Sequence, residues 1–271
     1  MTARPLRFED ILDLLPGRFR TALRDHAATP APGMGGASVF RLSGPDGESS
    51  VMPDRYLKVA CGPEMATLTD EIVRTRWLAS RGVRVPQFVM TTTTATVTAG
   101  LMTAVPGRPA AHCGDGIAAA HAIGRGLARL HAVPAADCPF DEMPATRLAR
   151  ARDDVARGAV DPGNFQDHNA GITPAALCRR LAAAVPATAD RDAVVVHGDA
   201  TLLNLLIGPD GELGLIDCGR AGRSDRYVDL AVVEMELRDS FGAAAAAAFA
   251  GACGGWDEPR AAFFRDLYEL F

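Results

Sequence analysis

Four polar residues at short spacing, His197, Asp199, Asn204 and Asp217, form the part of the sequence best suited to chemistry. The run AVVV at 193–196 has the pattern of a buried strand, and the polar triplet HGD follows it at once. A loop at a strand end is a common place for catalytic side chains. We therefore expect the function to depend on this loop.

Two further apolar runs, at 205–207 and 213–216, flank the strong turn signal PDGE. This pattern predicts a β-hairpin. A turn centred between Asp210 and Gly211 would pair Asn204 with Asp217.

An amide oxygen and a carboxylate side by side suit Mg²⁺, which takes one or two protein oxygens beside phosphate and water. Asp199 could then accept a hydrogen bond from an incoming hydroxyl group. The spacing His-x-Asp-x4-Asn, followed by Asp217 on the next strand, is typical of phosphoryl transfer, in which Asn204 and Asp217 hold the metal. The alternative is a strand-turn-strand segment with ordinary loop residues.

A second set of candidate residues lies earlier in the chain. A glycine-rich turn that includes Gly35, Gly36 and Ser38 could bring backbone N–H groups close to phosphate oxygens, although a flexible linker has the same composition. Lys58 lies on the following predicted strand, where a kinase contacts phosphate. Glu71 shares a helical stripe with apolar residues, so it needs a cation, and Lys58 is the nearest candidate. A solvated surface ion pair is the alternative.

Composition excludes some classes of function. The chain has 271 residues, 48% of them hydrophobic, a formal net charge of -5 and a pI near 5.7. This balance disfavours nucleic acid and permits a cationic ligand. Six cysteines occur without a C-x-x-C pair, and no apolar run is long enough to span a membrane. We expect a cytoplasmic protein without a membrane partner.

The elements that must position these residues follow from periodicity and breakers. Predicted helices cover 8–15, 67–82, 116–131, 147–158, 174–184, the stretch after 227, 243–248 and 257–271. Predicted strands cover 39–42, 55–60, 85–90 and 96–104, in addition to the strand and hairpin described above, with an irregular stretch up to residue 32. The short connection after Asp217 and the absence of A-P-E leave no room for a protein-kinase activation segment, which favours a small-molecule acceptor.

The segments HGDATLLN, LIDCGRAGRSDRYVDLA and the C-terminal LYELF resemble the aminoglycoside 3'-phosphotransferase family, and the similarity covers nearly the whole chain. The resemblance implies a two-lobed α+β fold of the protein-kinase type. A nucleotide-binding lobe with an antiparallel sheet would cover 1–103, and a mainly helical lobe for catalysis and substrate binding would cover 104–271. It also implies ATP and Mg²⁺ as cofactors and the 3'-hydroxyl of a polycationic amino sugar as acceptor.

The same resemblance implies roles for single residues. Asp199 would be catalytic with Arg220 orienting it or the acceptor, and Lys58 with Glu71 would order the nucleotide phosphates. The remaining candidates are Met102, Thr103 and Val105 at the adenine, and Asp167, Asp239, Glu269 and the carboxylate of Phe271 at the acceptor. Gly163, Gln166 and Tyr268 stand where the family pattern is more acidic.

Three other functions fit part of the pattern. A kinase of another small alcohol on the same fold would share all the candidate residues. A non-catalytic nucleotide-binding or scaffold protein would not need Lys58, Asp199, Asn204 and Asp217 together, and a DNA-binding or membrane-surface module conflicts with the charge. We expect a monomer or weak dimer.

Overall fold

The computed structural model describes residues 7–31, 36–43, 55–186 and 193–271. Its contacts divide the chain into two compact units, Met1–Val105 and Pro106–Phe271. Among the described residues no helix combines the length and the apolar character that crossing a bilayer requires.

Over its described residues, the N-terminal unit contains a five-stranded antiparallel sheet in the order β1-β2-β3-β5-β4 and three helices. Its strands are β1 Ala27–Pro30, β2 Ser38–Ser43, β3 Arg55–Cys61, β4 Phe88–Thr93 and β5 Val97–Thr103, and its helices are α1 Phe8–Leu14, α2 Gly17–Leu23 and α3 Glu64–Ser80. The core under the sheet joins alternate apolar residues of β2, β3 and β5 to the buried residues of α1 and α2.

The predicted irregular stretch up to residue 32 is wrong, because α2 and β1 lie in it. Phe19 and Leu23, four residues apart, are both buried and fix α2 against the sheet. Strand β1 pairs only with β2 and ends at Pro30, a residue that an edge strand tolerates.

Two other boundaries differ from expectation. Helix α3 begins at Glu64 rather than in a capping box near Thr67, and Thr69 Oγ1 donates to the Met65 carbonyl oxygen 2.8 Å away. The strand expected from Val85 begins only at Phe88, since Pro86 lacks an N–H for the ladder.

The C-terminal unit is mainly helical. Its helices are α4 Gly116–His131, α5 Pro144–Ala156, α6 Pro174–Ala183, α7 Tyr227–Phe241, α8 Ala243–Ala252 and α9 Glu258–Tyr268. Short strands connect them: β6 Arg108–Pro109, β7 Ala193–Val196, β8 Leu205–Ile207, β9 Leu213–Leu215 and β10 Gly222–Asp225, with β10 paired to β7 and β8 paired to both β6 and β9. Helix α4 has the predicted bounds, but Ile117, expected on its buried side, is 47% exposed.

Candidate active site

The loop after β7 is held by a buried carboxylate from α7. Asp229 accepts hydrogen bonds from the backbone N–H groups of His197 and Gly198, each at 2.9 Å, and lies 3.1 Å from His131 Nε2. Burial alone would raise the pKa of Asp229, but the hydrogen bond and charge of His131, with His197 and the Gly198 N–H, lower it below its usual value. Asp229 therefore holds this loop in place through two backbone hydrogen bonds.

Gly198 sits at the tightest point of this loop. Its φ is +83°, and a Cβ placed on it would lie 2.0 Å from the Arg220 carbonyl oxygen. Its own carbonyl oxygen accepts a hydrogen bond from the Arg147 guanidinium at 3.0 Å. The backbone just before Asp199 is thus fixed from several directions.

Asp199 and Asn204 lie within reach of each other. Asn204 Nδ2 is 3.0 Å from the Asp199 carbonyl oxygen and 3.3 Å from its Oδ2. Because Nδ2 is the atom that donates to Asp199, Oδ1 is the Asn204 atom that a cation can use.

The hairpin forms as predicted, but its register is shifted by one residue. Leu205 pairs with Leu215, and the Ile216 N–H donates to the Asn204 carbonyl oxygen at 3.0 Å, so Asn204 faces Ile216 instead of Asp217. The predicted pairing of Asn204 with Asp217 is wrong. The loop from Gly208 to Glu212 closes with its own hydrogen bonds, and this sets the ladder one residue away from a symmetric two-residue turn.

Asp217 follows the hairpin in a left-handed conformation, with φ 56° and ψ 48°. Among the described residues it is the one non-glycine residue with positive φ. A non-glycine residue held in this region costs free energy, and such strain is concentrated at functional sites. The 3-10 turn Cys218–Arg220 begins directly after it.

Two residues that no sequence pattern marked, Arg147 and Glu236, lie close to this loop. Tyr268, named above only as a departure from the acidic family pattern, is also near it. Arg147 is buried in α5, Glu236 Oε2 accepts the Leu202 N–H at 2.5 Å, and Tyr268 is half-buried at the end of α9. Burial raises the pKa of Glu236, and the charges of Asp199 and Asp239 raise it further. Burial, Asp199 and Glu236 likewise raise the pKa of Tyr268. No motif marks Arg147 or Glu236, since their side chains arrive from distant helices.

The predicted acceptor residues separate into two groups. Glu269 and Phe271 line a pocket of about 210 Å³ together with Asp161, Met235 and Tyr268, among others. Asp167 and Asp239 are exposed and do not line it. Burial raises the pKa of Glu269, and the hydrogen bond from Asn169 lowers it by a smaller amount. Asn169 Nδ2 is 3.1 Å from both carboxylate oxygens. The lining of the pocket therefore includes both acidic and aromatic residues.

In the N-terminal unit, Lys58 Nζ lies 2.8 Å and 2.7 Å from the two carboxylate oxygens of Glu71. Both side chains are nearly buried, at 11% and 10% exposed. The predicted ion pair between β3 and α3 is confirmed, and the solvated alternative is wrong.

The other nucleotide candidates lie along the same sheet. Ser38 opens β2, opposite Val59, and Gly36 precedes it, whereas Gly35 lies outside the described residues. Met102 and Val105 are buried, and the Thr103 N–H donates to the Gln87 carbonyl oxygen at 3.0 Å. Because that N–H is used within the sheet, a backbone donor for adenine would have to come from beyond Thr103.

Residues 29–264 match the model of the phosphotransferase enzyme family. An aminoglycoside 3'-phosphotransferase from Escherichia coli is 34% identical over 211 residues, which are 74% of this chain and 73% of that protein. A streptomycin 3''-kinase from Streptomyces griseus is 36% identical over 217 residues, which are 77% of this chain and 76% of that protein.

A solved structure shows the same architecture. The aminoglycoside phosphotransferase APH(3'')-Id from Streptomyces rimosus, in complex with ADP and streptomycin, has a TM-score of 0.79 and 30% identity, covering 93% of this chain and 95% of that one. This likeness confirms the predicted kinase-like α+β fold.

Proposed function

The chain belongs to the phosphotransferase enzyme family, and on that premise we propose that it transfers the γ-phosphoryl group of ATP to a hydroxyl group of an aminoglycoside. The relatives named above act on such antibiotics, and one was solved with ADP. Antibiotic resistance would be the consequence of this activity. We place the enzyme in the cytoplasm, where ATP is available and where the six free thiols would stay reduced.

One observation carries the proposal. Asp199 lies on a backbone anchored by Asp229, with its carboxylate 3.3 Å from the Asn204 amide. Phosphoryl transfer depends mainly on positioning and charge stabilisation. Its main structural requirement is therefore a fixed carboxylate next to an amide whose oxygen can bind a metal ion.

In the proposed reaction Asp199 accepts a hydrogen bond from the acceptor hydroxyl and orients its oxygen toward the γ-phosphorus. The acceptor oxygen forms a bond to phosphorus, the bond from phosphorus to the β,γ-bridging oxygen breaks, and the proton passes to Asp199 as ADP leaves. Lys58, fixed by Glu71, would contact the nucleotide phosphates. Arg220 would orient Asp199 or the acceptor.

The donor set fits Mg²⁺. Asn204 Oδ1 and the Asp217 carboxylate are hard oxygen donors, which this ion prefers over nitrogen or sulfur. These two residues would hold the ion, and it would neutralise part of the charge on the phosphates.

For the acceptor, the pocket beside Tyr268 offers the carboxylates of Asp161 and Glu269 to ammonium groups, and Phe271 belongs to the same lining. Asp167 and Asp239 would contact the acceptor only from outside this pocket. The 3'-hydroxyl is the position we propose. The 36% identity to a streptomycin 3''-kinase favours a 3''-hydroxyl as the second candidate.

A steady-state assay of ADP release with Mg²⁺-ATP tests both positions. The panel contains aminoglycosides with and without a 3'-hydroxyl and streptomycin, and the phosphorylated position of each product is assigned by ³¹P–¹H NMR. Stimulation only by compounds with a 3'-hydroxyl supports our first position, and stimulation by streptomycin supports the second. ATP turnover that only other small alcohols stimulate would assign a different substrate to the same site.

Asp199→Ala tests the site itself. We expect kcat to fall by roughly 10²- to 10⁴-fold, the usual contribution of a general base, with the Kd for ATP nearly unchanged. Asp153→Asn is the matched control, since Asp153 is an exposed carboxylate on α5. Wild-type turnover in the Asp199 variant would contradict the assignment.

A further inference from the structure

The aromatic ring of Phe271 lies against two arginines. The guanidinium carbon of Arg220 is 4.6 Å from the centroid of the Phe271 ring, and that of Arg147 is 5.0 Å from it. Both distances fall within the range of cation–π attraction. Phe271 is half-buried, so water weakens these contacts only in part.

Both arginines also contact the loop after β7 that carries Asp199, here called the catalytic loop (residues 197–204), Arg147 through its guanidinium and Arg220 through its backbone. Arg147 donates to the Gly198 carbonyl oxygen at 3.0 Å. The Arg220 carbonyl oxygen is packed so closely against Gly198 that a Cβ there would lie 2.0 Å from it. Gly198 is the residue directly before Asp199. A shift of the Arg147 guanidinium or of the Arg220 backbone would therefore reach the catalytic carboxylate through one peptide unit.

The positive charges of Arg147 and Arg220 explain why these two side chains need a further stabilising contact. Arg147 is buried, and this burial lowers its pKa to about 10, with Glu142 opposing the shift and Arg220 adding to it. Glu142 is a weak partner for Arg147 because its Oε2 is 3.5 Å from the guanidinium, whereas it contacts Arg150 at 3.0 Å. The two guanidiniums repel each other, and the negative face of an aromatic ring offsets part of that repulsion.

We propose that the Phe271 ring is a positioning element for the catalytic loop, acting through Arg220 and Arg147 on the orientation of Asp199. This role belongs to the aromatic ring and is separate from the contact that Phe271 would make with the acceptor. The inference rests on the proposed function, because its main readout is turnover.

Two variants test the ring. Phe271→Leu keeps the apolar bulk but removes the ring, and we expect kcat to fall roughly 10-fold with the KM for ATP unchanged. Phe271→Trp restores a ring and should restore most of kcat.

Trp77→Leu is the matched control, since it removes a cation–π contact of 5.3 Å with Arg81 in the N-terminal unit. We expect this variant to keep wild-type kcat. Thermal unfolding of each variant reports whether it is folded. A Phe271→Leu variant with wild-type kcat would overturn the proposal, as would a Phe271→Trp variant no better than Phe271→Leu.

A second readout does not depend on turnover. The Nε–H resonance of Arg220, assigned by comparison with Arg220→Lys, should move downfield in Phe271→Leu as the ring-current shift is lost. An unchanged resonance would overturn the proposal even in an active enzyme. Failure of the wild-type protein to turn over any acceptor would instead count against the proposed function, so the two failures are distinguishable.

Discussion

At Gly198 the backbone has room for a hydrogen atom and for nothing larger. The residue has a left-handed φ of +83°. Its N–H donates to Asp229, its carbonyl oxygen accepts from Arg147, and the Arg220 carbonyl oxygen lies against its Cα. Glycine is therefore required here both for its conformation and for its size. The HGD motif has a steric reason as well as a chemical one.

Gly198→Ala should destabilise the protein by at least about 3 kcal/mol, because the strain of a positive φ is added to a clash with backbone. Gly211→Ala is the control, since Gly211 has φ +74° and nothing within 4 Å of the added Cβ. That variant should lose only about 1 kcal/mol, and urea unfolding of both gives the comparison. Equal losses in the two variants would show that the clash is relieved by movement of the loop.

Elements far apart in sequence meet at Asp229. The carboxylate lies near the start of α7, His131 ends α4, and the two N–H groups belong to the loop after β7. Asp229 thus stabilises the positions of three elements, and its charge links their stability to pH.

The direction follows from the lowered pKa of Asp229. A carboxylate whose folded pKa is lower than its unfolded pKa stabilises the protein above the unfolded value, about pH 4, and this stabilisation is lost as the pH falls through the folded value. Asp229→Asn should cost about 3 kcal/mol at pH 7, and the difference from wild type should shrink below about pH 4. Urea unfolding from pH 7 to pH 3 measures it. A difference that stays constant over this range would contradict the lowered pKa.

Variants of the ion pair between Lys58 on β3 and Glu71 on α3 distinguish an effect on stability from an effect on ATP binding. Lys58→Met leaves the Glu71 carboxylate without this cation in a nearly buried position, and the loss of stability should be about 3–5 kcal/mol. Adding Glu71→Leu removes the carboxylate and should recover most of that stability. Neither variant should bind ATP with wild-type affinity, which isothermal titration would show. Recovery of ATP binding in the double variant would exclude Lys58 from the phosphate site.

Sequence patterns predicted the elements that have strong periodicity or strong breakers. Helix α4 and strands β7 and β8 have their predicted bounds, and Glu71 faces Lys58 because the helical stripe was correct. Helix α2 was missed because its apolar signal is only Phe19 and Leu23 within a polar stretch. Hairpin register depends on hydrogen bonds inside the turn, so a one-residue error moved Asn204 from Ile216 to Asp217.

The contributions of Arg147 and Glu236 could not be predicted from sequence at all. Each reaches the catalytic loop from a different helix, through hydrogen bonds that depend on how α5 and α7 pack. Local patterns carry no information about such packing. By contrast, His197, Asp199 and Asn204 lie within eight residues of sequence, so their spacing alone predicted that they are close in space.

On the scale of the whole molecule, the chain is acidic and its proposed acceptor is polycationic. The net charge of -5 attracts such a ligand over a distance set by ionic strength. The Debye length falls from about 30 Å at 0.01 M salt to about 8 Å at 0.15 M. The pocket carboxylates of Asp161 and Glu269 act at short range and are screened less.

Raising NaCl from about 10 mM to about 150 mM should therefore lower kcat/KM for a polycationic aminoglycoside roughly 10-fold, with kcat almost unchanged. The control is the same acceptor with its amines acetylated one at a time, for which the salt dependence should weaken as each charge is removed. Initial rates at low acceptor concentration give kcat/KM directly. If the acetylated and unmodified acceptors showed the same salt dependence, attraction by the acidic chain would not contribute to capture of the acceptor, and recognition would depend on contacts inside the pocket.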